Sequence, residues 1–172
     1  MSNDATAVRC VSMSEKKDLN FEGQKKKLVQ FLDSKDNRHM ALATSDGNRV
    51  QARMVLIASE GLDIYFFTWK HSRKFKQIER NPRVALCKDT VQIEGRAEII
   101  GGLSDKKVAK FTDIMRRKFP DAIEKWENKP GMVLLRIKPS FAVTGASSNG
   151  DTQIDYLDLE NQRAYSEKWA NY

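Results

Sequence analysis

The 172-residue chain is long enough for one domain with a real core and no disulfide staples, and 40% hydrophobic with 31% charged residues is an ordinary soluble composition. No apolar run approaches the roughly 20 residues needed to cross a bilayer, and residues 1–14 lack a basic-then-apolar leader, so a cytoplasmic protein without membrane association is expected. The net charge of +7, from 30 basic and 23 acidic residues, admits a phosphate-bearing partner, but it equally fits a lysine-rich solvated surface.

Residues 1–18 are polar and unpatterned and read as a poorly ordered extension; residues 19–172 read as one domain. From Phe21 to about Ser34, Leu28, Val29, Phe31 and Leu32 recur at helical spacing. Met40 to Ala43 is a short apolar run closed by Ser45-Asp46-Gly47-Asn48, a hairpin signal. Val50–Ser59 and Leu62–Thr68 complete three strands in meander order. Ser72 is a favoured N-cap for a helix to about Arg80, stopped by Asn81-Pro82.

Arg83–Lys88 reads as a strand with Cys87 in the core. Thr90–Ile100 alternates, with Val91, Ile93, Gly95, Ala97 and Ile99 on one face. After Gly101-Gly102, helices are expected from Ser104 or Asp105 to about Lys118 and from Asp121 to Trp126. Met132–Lys138 and Phe141–Thr144 read as two separate strands. The tail from Asp151 suggests one more strand and a terminal helix around Trp169. The sum is a mainly β (α+β) chain, with six or seven strands in a small antiparallel barrel capped by short helices.

Several chemistries lack their residues. Neither GxGxxG nor GxxxxGK[ST] occurs. His39, His71, Cys10 and Cys87 are scattered, so no metal site is expected. GxSxG is absent, and no protein acid, base or nucleophile is nominated. Reactivity would come from a cofactor.

Residues 53–95 are the informative stretch. Arg53-Met54-Val55-Leu56 lies on the second strand, and Phe67-Thr68 ends the third. Ser72-Arg73-Lys74 then places a hydroxyl, a guanidinium and an ammonium at a helix start, beside free N–H groups and the positive dipole end. Arg53 alternates with apolar neighbours and can point toward the same anion, where a guanidinium takes two phosphate oxygens. Ser-Arg-Lys alone is also what an ordinary capped surface helix looks like.

Taken in order, Arg-Met-Val-Leu, Phe-Thr, Ser-Arg-Lys and Ile78-Glu-x-Asn-Pro-Arg-Val84 resemble the FMN-binding region of the pyridoxamine 5′-phosphate oxidase superfamily, and most of all its general-stress-protein-like branch. The resemblance implies a split barrel, and a homodimer with FMN at the subunit interface. It implies that Arg53, Met54, Val55 and Leu56 line the flavin, that Phe67 and Thr68 contact it, and that Ser72, Arg73 and Lys74 hold its phosphate. The family's flavin-contacting glutamine, counted back from Gly95, falls on Thr90; Gln92, on the same strand face, is assigned the role instead. The family's true oxidases end in an arginine and histidine segment that grips substrate phosphate. Residues 156–172 show no such pattern and contain no histidine, which argues against pyridoxamine phosphate as substrate.

The expectation is therefore an FMN-dependent oxidoreductase acting on a small molecule or electron donor, with hydride passing through the flavin N5. The alternative is a non-catalytic module that stores or senses FMN, haem or another flat cofactor. A nucleic-acid binder is not expected: single-strand binders interleave exposed aromatics with basic residues, and Tyr65, Phe66 and Phe67 are consecutive. Trp69 and Trp126 are read as packing residues rather than stacking partners of a ligand.

Overall fold

The computed structural model describes residues 16–148 and 151–170. After a three-residue strand β1 (Lys16–Asp18), helix α1 (Phe21–Asp33) starts at Asn20, whose side chain accepts from the Gly23 amide. A meander follows: β2 (His39–Ser45), β3 (Val50–Leu56), β4 (Ala58–Glu60) and β5 (Asp63–Trp69). Then come α2 (Arg73–Arg80), β6 (Arg83–Lys88) and β7 (Val91–Gly102). A single 3-10 turn leads into α3 (Ala109–Lys118) and α4 (Pro120–Trp126). Strands β8 (Met132–Ser148), β9 (Asp151–Asp158) and β10 (Arg163–Ala170) end the fold.

Every pairing is antiparallel, and the order runs β1-β10-β9-β8-β7-β6-β2-β3, with β4 beside β5 and β5 beside β8. Two long segments make this a split barrel rather than a flat sheet. Strand β8 lies along β7 for most of its length, while its other edge pairs first with β5 and then with β9. The segment 50–60 divides in the same way: β3 pairs with β2 and β4 pairs with β5. The barrel is therefore unsealed between β3 and the end of β5. Continued along the β4–β5 register, Val55 comes opposite Thr68.

Period-two alternation sends Met40, Leu42, Val84, Leu86, Val91, Ile93 and Ala97 into the barrel core, where α1 adds Leu28 and Leu32 and α2 adds Phe75 and Ile78. A second cluster on the outer face packs Ile114, Met115 and Ile123 of α3 and α4 against Tyr65 and Leu134. Burying each such side chain contributes about 1.5–3 kcal/mol. Lys118 joins the layers by donating from Nζ to the carbonyls of Leu32 and Asn37, at 3.0 and 3.3 Å.

Several expectations are corrected. Among the described residues there are ten strands rather than six or seven. The two strands expected over 132–144 are one, β8, which passes Pro139 at a register irregularity opposite Gly95. A side chain at Gly95 would meet the Lys138 carbonyl at 2.4 Å, so the crossing requires glycine there. The tail is a hairpin, β9–β10, and the segment expected as a helix around Trp169 is strand. Alternating inward Ala164 and Ser166 with outward Tyr165 is a strand period. Cys87 is exposed, because Val84 and Leu86 face inward and the next residue must face outward. Ile99 is 42% exposed although it keeps the parity of Ala97, at the point where the ladder with β8 becomes irregular. Of the expected N-terminal extension, 16–18 form a strand, and residues 1–15, with Cys10, lie outside the described residues.

Candidate anion-binding site at the barrel mouth

The unsealed edge of the barrel ends at α2, and there the sequence concentrates cations. Ser72 caps α2 in extended backbone conformation, and its Oγ accepts from the Phe75 amide at 3.4 Å. The same hydroxyl lies 3.1 Å from Thr68 Oγ1 at the end of β5. Lys74 folds back over this pair and donates from Nζ to Thr68 Oγ1 at 3.1 Å. Thr68 is buried and Lys74 half-buried. Two hydroxyls and an ammonium, taken from a strand end and a helix start, thus share one spot.

Arg53 reaches the same mouth from inside β3. Its Nη1 donates to the Leu42 carbonyl at 3.2 Å and to Thr44 Oγ1 at 2.6 Å. Its Nη2 donates to Gln51 Oε1 at 3.4 Å and to Gln77 Oε1 at 3.3 Å. All of these acceptors are neutral. Among the described residues, no carboxylate forms an ion pair with Arg53, Arg73 or Lys74.

The electrostatics follow from that lack of compensation. Burial, and then the charge of Arg73, push the Arg53 guanidinium below its ordinary value. Burial, and then the charge of Arg53, lower the Lys74 ammonium. Arg73 is itself exposed. Arg53 thus holds an uncompensated charge against both neighbours in a partly desolvated mouth, an arrangement that an incoming anion would relieve.

The expected site residues separate into two sets. Arg53, Thr68, Ser72, Arg73 and Lys74 converge at the mouth. Val55 is buried in the barrel core, whereas Met54 is 60% exposed on the outer face of β3 and Leu56 packs partly against the outer cluster. Phe67 also belongs to the outer cluster, on the opposite face of β5 from Thr68. Gln92 is exposed on β7, level with Cys87 and Val143, and none of the side-chain hydrogen bonds at the mouth reaches it. Trp69 and Trp126 meet edge to face at 5.7 Å, and His71 stacks on Trp69 at 5.4 Å.

Sequence reasoning missed Thr44 and Gln77, each 2% exposed. Thr44 Oγ1 donates to Gln77 Oε1 at 2.6 Å, and Gln77 Nε2 donates to the Arg49 carbonyl at 3.1 Å. A signal existed for Thr44: it continues the inward alternation Met40, Leu42.

An open antiparallel barrel with a hydroxyl-lined cluster of uncompensated cations at its split is a fold and site suited to a phosphorylated ligand. Residues 24–142 match the family model of pyridoxamine 5′-phosphate oxidase, and the chain belongs to that family. A pyridoxine/pyridoxamine 5′-phosphate oxidase of Vesicomyosocius okutanii is 40% identical over 65 residues, which is 36% of this chain and only 30% of that relative. Among solved structures, a pyridoxamine 5′-phosphate oxidase-related, FMN-binding protein of Nostoc punctiforme aligns with a TM-score of 0.54 at 16% identity, covering 86% of this chain and 92% of the other. General Stress Protein 26 of Bacillus anthracis aligns with a TM-score of 0.53 at 22% identity, covering 69% and 91%. No helix among the described residues is long and apolar enough to cross a membrane.

Proposed function

We propose that this protein is an FMN-binding flavoprotein, an oxidoreductase that uses the flavin on a small molecule and works as a homodimer holding FMN between protomers. One observation carries the reading: Lys74 bonds the Thr68–Ser72 hydroxyl pair, Arg53 interacts electrostatically with both Lys74 and Arg73, and among the described residues no carboxylate forms an ion pair with any of the three. A phosphate monoester, a dianion at neutral pH with its second pKa near about 6, fits that charge and donor set. Lys74, Arg73 and Ser72 would hold the phosphate, and the edge backbone of β3 from Arg53 to Leu56 would lie along the ring. FMN supplies two-electron redox chemistry when bound. The protein's part is to bind, orient and shield it.

The dimer is supported by the outer face of β3, where Val50 is 72% and Met54 60% exposed beside the unsealed edge. Such apolar surface calls for a cover. In a homodimer, Gln92 would act on the flavin of the partner's slot, because it stands apart from the mouth of its own chain.

A visible spectrum of the purified protein, with and without added FMN, is the first test, and a flavin absorbance band that survives gel filtration is expected. Arg73→Ala and Lys74→Ala should each weaken FMN by about tenfold or more while sparing riboflavin, since a charge-assisted bond contributes roughly 1.5–3 kcal/mol and riboflavin lacks the phosphate. Equal weakening of both ligands rejects the assigned phosphate site. Turnover with NADH, NADPH or a reduced deazaflavin separates an enzyme from a storage or sensing module.

A further inference from the structure

We infer that Gln77 sets the charge of the anion site: its neutral amide holds the Arg53 guanidinium in place without neutralising it, and so makes the site select a phosphorylated flavin over its dephosphorylated form. This rests on the FMN reading and assigns the selectivity within that site to a residue that touches no ligand.

The helix α2 points Phe75 and Ile78 into the barrel core, and Gln77 is buried between those two positions. A buried primary amide is costly unless both of its ends are bonded. Here both are. Its Oε1 receives Thr44 Oγ1 at 2.6 Å and Arg53 Nη2 at 3.3 Å, and its Nε2 gives a hydrogen bond to the Arg49 carbonyl at 3.1 Å. Those partners fix the orientation of the amide, because a flipped amide would set NH2 against a guanidinium and a carbonyl-facing oxygen against an oxygen. Thr44 Oγ1 closes the ring by accepting from Arg53 Nη1 at 2.6 Å. The guanidinium is thus clamped by β2, β3 and α2 together.

The choice of acceptors is informative. For a buried arginine the usual partner is a carboxylate, which cancels the charge. A glutamate at 77 would have the same length and could accept from Arg53 and Thr44 alike. The amide gives up that neutralisation and leaves a full positive charge beside Arg73 and Lys74. Repulsion among them is relieved only by an incoming anion, and a dianionic monoester relieves most. Gln77 is therefore a positioning residue, with a specificity role exerted through Arg53.

The test compares Gln77→Glu with Gln77→Met, reading FMN and riboflavin dissociation constants by flavin fluorescence. Gln77→Glu supplies an internal counter-ion and should weaken FMN by about tenfold or more while riboflavin stays within about twofold. Gln77→Met removes the clamp but keeps the cation, and should weaken FMN by only a few-fold. A merely structural glutamine gives another pattern: the methionine variant is the worse of the two, and FMN and riboflavin fall together. That pattern, or an unchanged FMN-to-riboflavin ratio in Gln77→Glu, overturns the assignment. Should Gln77→Glu fail to fold, Thr44→Val cuts the same clamp from β2; it should lower FMN affinity a few-fold with riboflavin unchanged, and parallel losses reject the proposal. A wild-type protein that binds FMN and riboflavin equally overturns both this inference and the phosphate-site reading. One that discriminates between them, alongside a Gln77→Glu that discriminates just as well, overturns only the role of Gln77.

Discussion

Two strand arginines on opposite sides of the barrel wall are treated in opposite ways. Arg136 on β8 faces outward and meets two carboxylates, Glu98 at 2.6 Å and Asp63 at 3.3 Å, with Lys138 sharing Glu98 at 3.0 Å. The hydrogen bond to Glu98 raises the Arg136 guanidinium above its ordinary value. Arg53 on β3 faces inward and meets only neutral acceptors, and burial with Arg73 lowers it. The first arrangement is what cross-strand stabilisation looks like. The second leaves its charge uncompensated, which is what the proposed phosphate site requires. Within one sheet, whether a charge is cancelled separates scaffold from site.

The largest expected effect comes from exchanging the two roles by truncation. Arg53→Met should weaken FMN by about 10–150-fold, the equivalent of one charge-assisted contact of roughly 1.5–3 kcal/mol. Riboflavin binding should change far less. Arg136→Met should leave FMN affinity within about twofold of wild type, because its partners are on the outer face and already cancel it. Titration of both variants with both flavins is decisive. A loss of FMN in Arg136→Met as large as in Arg53→Met would abolish the distinction between the two regions.

A smaller effect sharpens the electrostatic half of the comparison. FMN affinity should pass through a maximum as pH is varied. On the acid side it falls as the monoester takes up its second proton near about pH 6. On the alkaline side it falls as Lys74 loses its proton, earlier than an ordinary lysine because burial and then Arg53 lower it. In Arg53→Met that second cause is gone, so the alkaline limb should move to higher pH. An alkaline limb that stays in place in the variant would show that the two cations are not coupled.

Much of the frame was legible from residue order. Asp46-Gly47 announced the β2–β3 hairpin, Ser72 and Asn81-Pro82 bounded α2, and the alternation from Val91 to Ala97 gave the inner face of β7. Ser72, Lys74 and Thr68 came together because a strand end and a helix start are joined by only a few residues. The clamp was not legible in the same way. Thr44 and Gln77 are 33 positions apart, and only the packing of α2 on β2 brings them within 2.6 Å. Polar residues inside an apolar pattern read as defects until the partner is seen. Cys87 teaches the converse: it sits in an apolar run, but strand parity after Leu86 turns it outward, and parity is the better guide. Strand β9 was legible in the tail, but β10 escaped because its inward positions are occupied by the small Ala164 and Ser166, too weakly hydrophobic for an alternation to stand out.

The smallest expected effect lies at the scaffold arginine, and its sign is fixed by linkage. Hydrogen bonds from Arg136, then from Lys138, hold the Glu98 carboxyl below its ordinary value of 4.5. A carboxyl depressed in the folded state contributes stability that is present above its unfolded value and is lost as pH falls through the folded one. Solvent screens this outer-face network, with Arg136 22% and Glu98 41% exposed, so it should contribute no more than about 1 kcal/mol, or about 2–4 °C in melting temperature. Thermal melts of wild type and Arg136→Met should therefore differ at neutral pH and draw together below the ordinary carboxylate range. Arg53→Met should show no such acid convergence with wild type, since no carboxylate pairs with Arg53 among the described residues. If its stability difference from wild type closed over the same acid range, a carboxylate would have to be neutralising Arg53, and the contrast between a cancelled and an uncancelled arginine would fail at its foundation.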